Sequence, residues 1–184
     1  MPLARAYLRG LGPEDAIQAV LDRLRDQVDE TCALGRLDGA HVIYASIARQ
    51  SRAGTLGGQA GLRVPAFCTS MGRILLADLA PSAVQEVLRT FPPVKFTAFT
   101  ETHSEAIVER IHEAARNGFS INDQELDIGL RALAVPIRDH RGRGHRGAQC
   151  GRRSRPPVNS CWSGRFLPLL REAAEENAQL MDQL

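Results

Sequence analysis

The stretch GLRVPAFCTSMGRILLADL, residues 61–79, joins an extended segment to an apolar helix and decides the fold around it. Val64-Pro65 favours an extended chain, because a proline disfavours helical backbone at the residue before it. From about Thr69 to Leu79 the spacing of apolar residues predicts a helix. The first N–H groups of a helix lack partners within the helix, and the helix dipole favours negative charge there. This helix start is therefore a candidate site for binding an anion such as a carboxylate.

Upstream of this stretch the sequence predicts a helix and a hairpin. Gly12-Pro13 opens the helix, since proline suits the first helical position. Apolar residues then recur at helical spacing at Ile17, Val20, Leu21, Leu24 and Val28. The turn residues Asp38-Gly39 separate CALGRL from HVIYASIA, and Asp-Gly accepts the positive φ of a tight turn between strands.

Downstream, two helices, two strands and a closing helix are predicted. The helices begin near two pairs with capping-box spacing, Ser82 with Gln85 and Thr102 with Glu105, and the second helix stops at Asn117-Gly118. FSIND and LRALAVPIRD indicate strands joined by an acidic loop, and RFLPLLREAAEENAQLMDQL indicates a helix despite Pro168. Helices that alternate irregularly with antiparallel strands predict an α+β domain whose sheet is flanked by helices.

The composition bounds the class of protein. A chain of 184 residues with 43% hydrophobic and 24% charged residues suits one globular domain. No apolar run is long enough to span a bilayer and the first residues lack the apolar centre of a secretory signal, so we expect a cytoplasmic protein without membrane contact. Four scattered cysteines, Cys32, Cys68, Cys150 and Cys161, then predict free thiols.

The positive charge is concentrated in one segment. Residues 138–165 carry eight arginines against Asp139 alone, a net charge of +7, which leaves −5 for the rest of a chain whose total is +2. Nucleic-acid affinity depends on cations spread over a folded face, so this distribution is a poor DNA-binding surface. A nucleic-acid or zinc-binding module centred on residues 140–161 remains the alternative. Its zinc ligands would be His140, His145, Cys150 and Cys161, but they lack the close pairs typical of structural zinc, so we predict no metal.

Neither of two further motifs predicts chemistry. CTSMG resembles a nucleophile elbow, but Cys68 replaces its first glycine and no histidine base is identifiable, so we predict neither an enzyme nor a cofactor. The loop INDQELDIG has alternating carboxylates without the calcium-loop pattern. It is either a solvated loop or one that also lines a pocket.

Two segments, GLRVPAFCTSMGRILLADL and GFSINDQELDIGLRALAVPIRDHRGR, resemble the effector-binding domain of the IclR family of bacterial transcriptional regulators. The resemblance covers roughly residues 11–143 and the last helix. The segment CTSMGRILLA, the hairpin and the first helix are most similar to those of the family members that control aromatic-acid breakdown through protocatechuate and β-ketoadipate.

The resemblance implies a fold and a function. The fold is a profilin-like or GAF-like domain over residues 13–184, with residues 1–12 as the end of a linker from a winged helix-turn-helix that is absent here. DNA binding would belong to that absent domain, and the chain would form a homodimer or homotetramer. The effector would be a small organic or aromatic carboxylate such as protocatechuate, 4-hydroxybenzoate or β-ketoadipate.

The family's effector site is carried over to two parts of the chain. The helix start contributes Ser70, Met71 and Gly72, and the strands contribute Asn122, Asp123 and Ala132. Backbone N–H groups at Ser70 and Met71 would bind the carboxylate. Asn122 or Asp123 would bind a hydroxyl or carbonyl group, while Met71 and Leu130 would supply apolar walls. Gly72 and Ala132 lack a polar side chain and are expected to serve packing.

One departure from the family follows Arg143. The family continues into an apolar strand of the type VVAALNVS, whereas this chain has GHRGAQCG. Codons for residues 144–151 read one base later permit Val-Ile-Ala-Ala-Leu-Asn-Val, which suggests a shifted reading frame. We therefore predict that residues 144–164 are an irregular basic loop, that the sheet loses one strand, and that effector binding is weakened.

Overall fold

The computed structural model describes residues 13–50, 59–139, 142, 144, 146–153 and 162–182. The predicted linker end, residues 1–12, lies outside them. In the described part of the chain, every helix is too short or too polar to cross a membrane.

Helices and strands alternate irregularly along the chain. The helices are α1 (Pro13–Val28), α2 (Ser70–Leu76), α3 (Pro81–Thr90), α4 (Ser104–Asn117) and α5 (Leu167–Met181), and a π-helical turn (Trp162–Phe166) precedes α5. The strands are β1 (Thr31–Asp38), β2 (His41–Ala48), β3 (Arg63–Pro65), β4 (Ser120–Asp123), β5 (Leu130–Ile137) and β6 (Arg146–Arg153).

The six strands form one antiparallel sheet in the order β3-β2-β1-β6-β5-β4. The predicted hairpin is confirmed, since Asp38 faces His41 across the turn and Gly39 has a φ of 59°. β4 and β5 pair as predicted, with Asn122 opposite Ala132.

Helices cover both faces of the sheet. On one face α1 and α5 pack on Cys32, Leu34, Leu133 and Cys150. On the other face α2 lies across Val42, Ala134 and their neighbours, and α4 packs behind α2. All eight residues of β5 except Pro136 are buried, as expected of an interior strand. The predicted α+β fold with a helix-flanked antiparallel sheet is confirmed.

The prediction that the sheet loses a strand is wrong. Residues 146–153 form β6, which pairs with β1 from Thr31 to Arg36 and with β5 from Leu130 to Ile137. They lie in the interior of the sheet, where a lost strand would have left two open edges. Residues 154–161 of the predicted irregular loop lie outside the described residues, and residues 162–164 belong to the π-helical turn.

Small side chains explain why β6 forms although its sequence, RGAQCGRR, is rich in glycine and arginine. Ala148 and Cys150 face the α1–α5 side and are fully buried. Gly147 faces α2, where a Cβ atom would lie 2.8 Å from the Met71 side chain. Gly35 lies opposite Gly147 on β1 and is equally close to Met71. Two adjacent glycines thus let α2 approach the sheet, while the backbone ladder on both sides supplies the hydrogen bonds.

Both predicted capping boxes are wrong, although both helices form. α3 begins at Pro81, and α4 begins at Ser104 with His103 as a cap whose side chain makes no capping bond. Glu101 accepts the N–H groups of Thr102 and His103 instead. The end of α4 at Gly118, in the left-handed conformation, is as predicted.

Candidate effector site

A cavity of about 220 Å³ lies between the start of α2 and the sheet. Five strands or their flanking loops and the first residues of α2 contribute to its wall. The described lining residues are Tyr44, Leu62, Val64, Thr69, Ser70, Asn122, Leu126, Asp127, Leu130, Ala132 and Gln149. We call this space the Ser70 cavity.

Ser70 gives the cavity an unused polar group. Its side chain is fully buried, and its Oγ has no hydrogen-bond partner among the described residues. The neighbouring Thr69 differs, since its Oγ1 accepts the Gly72 N–H at 3.2 Å and donates to the Pro65 carbonyl at 2.9 Å. Thr69 therefore caps α2, and Ser70 is left with a buried hydroxyl in the cavity wall.

Tyr44 and Gln149 form a polar pair in the cavity wall. The Gln149 amide donates to the Tyr44 hydroxyl at 2.8 Å, and both residues are buried. Burial raises the pKa of Tyr44 to about 12, so the phenol is neutral at physiological pH. Because it accepts from Gln149, Tyr44 retains its own proton as a donor.

An ion-pair cluster fixes the acidic loop between β4 and β5. Glu125 is buried, and its two carboxylate oxygens lie 2.7 and 2.6 Å from the two terminal nitrogens of Arg73. Arg110 of α4 lies 2.9 Å from the same carboxylate. The Thr100 hydroxyl donates to the Glu125 carbonyl at 2.6 Å, and the Thr97 hydroxyl to the Gln124 carbonyl at 2.7 Å.

These contacts determine what the loop contributes to the cavity. Of the two carboxylates in the loop, Glu125 is the anchor and Asp127 lines the wall, while the third acid of the predicted loop, Asp123, is the last residue of β4. Asp123 is exposed, and its Oδ1 lies 2.7 Å from Nε of Arg131. Of the two interpretations left open by the sequence, a loop that also lines a pocket is the one that the structure supports.

Four of the seven predicted site residues share the cavity wall: Ser70, Asn122, Leu130 and Ala132. The Asn122 amide also donates to the Cys68 carbonyl, which ties β4 to the turn before α2. The other three lie outside the wall. Met71 is buried against the two sheet glycines, Gly72 packs on Ala66, and Asp123 pairs with Arg131. Effector binding by all seven remains a prediction.

Seven of the eleven wall residues were not among the predicted site residues: Tyr44, Leu62, Val64, Thr69, Leu126, Asp127 and Gln149. A signal for Tyr44 was present, since alternation in HVIYASIA places Val42 and Tyr44 on the same inward face. Gln149 was hidden because its strand was interpreted as an irregular loop. Leu62 precedes a strand of only three residues, too short for a pattern.

The described residues offer no support for catalysis or zinc. Burial raises the pKa of the Cys68 thiol to about 12, which disfavours the nucleophilic thiolate. Cys150 is buried inside the sheet, and His140, His145 and Cys161 lie outside the described residues. The described part of the chain contains no cluster of three metal-ligating side chains, and its three cysteines are free thiols.

The chain matches the protein family described as "Bacterial transcriptional regulator IclR C-terminal" over residues 6–176. It is 33% identical over 177 residues to the Pca regulon regulatory protein of Pseudomonas putida, covering 96% of this chain and 61% of that protein. It is 31% identical over 175 residues to the Pca operon regulatory protein of Acinetobacter baylyi, covering 93% of this chain and 63% of that protein. The chain thus spans about three fifths of the length of these curated relatives.

A solved structure shares the fold. The inducer-binding domain of the PobR transcription factor from Acinetobacter, a double mutant in complex with 3-hydroxybenzoic acid, has a TM-score of 0.83 at 24% identity. The match covers 91% of this chain and 98% of that one. The family and the two curated relatives are regulators of transcription and not enzymes, as the sequence predicted, and they give no support to a nucleic-acid or zinc module at residues 140–161. The chain belongs to the IclR family of bacterial transcriptional regulators and matches their C-terminal, effector-binding domain.

Proposed function

We propose that this chain is the sensor part of a regulator of aromatic-acid catabolism and that the Ser70 cavity binds a hydroxylated, single-ring aromatic carboxylate. The observation that carries the proposal is the Ser70 hydroxyl, which is buried in the cavity wall without a partner. An unsatisfied buried hydroxyl costs on the order of 1–3 kcal/mol, and a ligand acceptor removes that cost.

The polar groups of the wall suit the two ends of such a ligand. The Ser70 and Tyr44 hydroxyls are donors and would bind the carboxylate. Asp127 is an acceptor for a ring hydroxyl. Leu62, Val64 and Leu130 provide apolar contacts for the ring. We expected weak effector binding because a strand was predicted to be lost. That strand is present as β6, and its Gln149 lies in the cavity wall.

Size and charge narrow the candidates. A cavity of about 150 Å³ holds benzene, so about 220 Å³ admits one substituted ring but not two. Asp127 disfavours a second carboxylate near it, because like charges in a site repel. Among the three candidates we therefore favour 4-hydroxybenzoate and protocatechuate over β-ketoadipate. The 3-hydroxybenzoic acid complex of the PobR domain supports the same chemical class.

The rest of the proposed function follows from the family. DNA binding would belong to a winged helix-turn-helix domain of a longer regulator, and the effector-binding domains would associate as a homodimer or homotetramer. A regulator of transcription acts on the bacterial chromosome, so the proposed location is the cytoplasm.

Calorimetry with the three acids and with tyramine as an amine control tests the proposal. We expect 4-hydroxybenzoate or protocatechuate to bind and tyramine not to bind. Ser70→Ala should weaken binding about tenfold, since a hydrogen bond to a charged group is worth roughly 1.5–3 kcal/mol. Ser82→Ala on the exposed side of α3 is the matched control and should leave affinity unchanged. Equal affinities for acid and amine, or no effect of Ser70→Ala, would contradict the proposal.

A further inference from the structure

Two cysteines that are distant in the sequence face each other inside the sheet. Cys32 of β1 and Cys150 of β6 lie directly opposite each other in the antiparallel ladder, and both are fully buried. Residues directly opposite each other point to the same face of a sheet. Both side chains accordingly belong to the core on the α1–α5 side. We call these two residues the cross-strand cysteine pair.

The spacing of the two strands suits a disulfide. In an antiparallel pair, the Cα atoms of directly opposite residues lie about 4.5 or 5.5 Å apart, and disulfides join Cα atoms about 4.4–6.8 Å apart. The Cβ atoms of such residues lie about 4.5–5.5 Å apart, against about 3.5–4.5 Å in a disulfide, so a movement of about 1 Å joins them. The backbone ladder between β1 and β6 can therefore remain in place when the bond forms.

The third described cysteine is separated from this pair by the sheet. Cys68 lies in the turn before α2 and belongs to the core on the opposite face. It cannot reach Cys32 or Cys150 while the sheet is intact. Cys161 lies outside the described residues. Among the described cysteines, the native fold thus favours one pairing.

Burial controls when the cross-strand cysteine pair can react. It raises the pKa of the Cys32 thiol well above its ordinary value, and the neighbouring Cys150 thiol raises it further. The Cys32 thiol also donates to the Glu30 carbonyl at 3.5 Å. Burial raises the pKa of Cys150 to about 12. Because the thiolate is the reactive form, both thiols react slowly while the strands are paired, and rapid reaction requires the β1–β6 ladder to open.

We propose that the cross-strand cysteine pair is a redox-responsive site that a low-molecular-weight disulfide converts into a covalent bond between β1 and β6. When the ladder opens, the thiolate of one cysteine attacks the oxidant and expels one of its two thiolates. The other cysteine loses its proton and attacks the mixed disulfide, which expels the second thiolate. The pair is thus oxidised by two electrons, and the oxidant is reduced to two thiols. The new bond closes a long loop of the chain and stabilises the folded sheet.

Refolding of the full chain from urea into a mixture of reduced and oxidised glutathione tests the proposal. We expect a mass loss of about 2 Da, which corresponds to two hydrogen atoms. Proteolysis without a reductant should release one linked pair of peptides, which contain Cys32 and Cys150. Cys32→Ala and Cys150→Ala should each abolish this linkage. Cys68→Ala is the matched control, because it removes a buried thiol on the other face of the sheet and should leave the linkage intact.

The melting temperature gives a second readout. The oxidised chain should melt at least about 4 °C above the chain reduced with dithiothreitol, because the bond restricts the unfolded state. Cys68→Ala should show the same difference, and Cys150→Ala should show none. The proposal is overturned by linkage mainly through Cys68 or Cys161, by glutathione adducts in place of the intrachain bond, by the absence of oxidation, or by an unchanged melting temperature. If an alanine variant fails to fold, the linked peptides and the melting temperatures of the wild type decide the question.

Discussion

At the scale of single residues, the buried Arg73–Glu125 pair fixes the geometry of the effector site. Both side chains are almost fully buried, and each carboxylate oxygen faces a guanidinium nitrogen. Arg73 also donates from Nε to the Phe67 carbonyl at 3.0 Å, so one side chain joins α2, the turn before it and the acidic loop. The loop can present Asp127 to the cavity because Glu125 anchors it.

Removing the charge of Glu125 should therefore destabilise the protein. Glu125→Gln keeps the shape but leaves the buried Arg73 uncompensated, and breaking a buried pair in this way costs about 3–5 kcal/mol. Urea denaturation measures the loss. Glu86→Gln makes the same substitution in the exposed pair with Arg89 and should change stability little. Similar losses in the two variants would mean that the buried pair is not an anchor.

Glu101 makes a second prediction, on pH dependence. The backbone N–H of His103 and the His103 ring hold the pKa of Glu101 at about 2, below its ordinary value of 4.5. A lowered pKa in the folded state gives stability that is present above about pH 4.5 and lost as the pH falls towards 2. The difference in stability between wild type and Glu101→Gln should shrink over that window in acid titrations of unfolding. A constant difference would contradict it.

Gly72 makes a third prediction, on packing. A Cβ atom at this position would lie 2.1 Å from the Ala66 carbonyl oxygen, which is backbone and cannot move aside easily. Gly72→Ala should destabilise the protein by about 1–3 kcal/mol, as overpacked cores do. Gly164→Ala is the control, because nothing lies within 4 Å of the added atom. Equal melting temperatures for the two variants would refute the close approach.

At the scale of elements, the sequence predicted the helices and strands that have a regular spacing of apolar side chains or characteristic turn residues. The first helix and the hairpin followed from apolar spacing and from Asp38-Gly39. β6 was missed because its stability comes from backbone bonds to two neighbours and from small side chains that permit close packing. A composition rich in glycine and arginine hides such a strand, since neither residue type reveals burial.

Hydrogen exchange tests β6 directly. The backbone N–H groups of an interior strand are hydrogen-bonded on both sides and should exchange slowly. The amides of Ala148 and Cys150 should therefore be protected about as strongly as the amide of Leu133 in β5. Rapid exchange over residues 146–153 would restore the irregular loop predicted from the sequence. The hypothesis of a shifted reading frame predicted a missing strand, and that strand is present as β6. The codon argument is now its only support.

At the scale of the whole molecule, the candidate effector site is assembled from distant parts of the chain. Ser70, Asn122, Leu130 and Ala132 were predicted through two motifs that resemble a family. Tyr44 and Gln149 enter the same wall only because β1 lies between β2 and β6 in the sheet. Local spacing indicates that Tyr44 faces inward, but it does not give the strand order, so the sequence could not predict that Tyr44 and Gln149 share one wall.

The charge of the whole molecule leads to the last prediction, on DNA. Many of its described arginines already pair with acids, among them Arg63 with Asp38, Arg116 with Glu109 and Arg138 with Asp78. With a net charge of only +2, this leaves no broad cationic face in the described part of the chain.

The isolated chain should bind duplex DNA no more tightly than about 10⁻⁶–10⁻⁴ M, without sequence preference and with a steep decline as salt rises. Fluorescence anisotropy at two salt concentrations measures this. Tight, sequence-selective binding at physiological salt would instead favour a nucleic-acid-binding module around residues 140–161, because residues 138–165 carry a net charge of +7 and the rest of the chain carries −5.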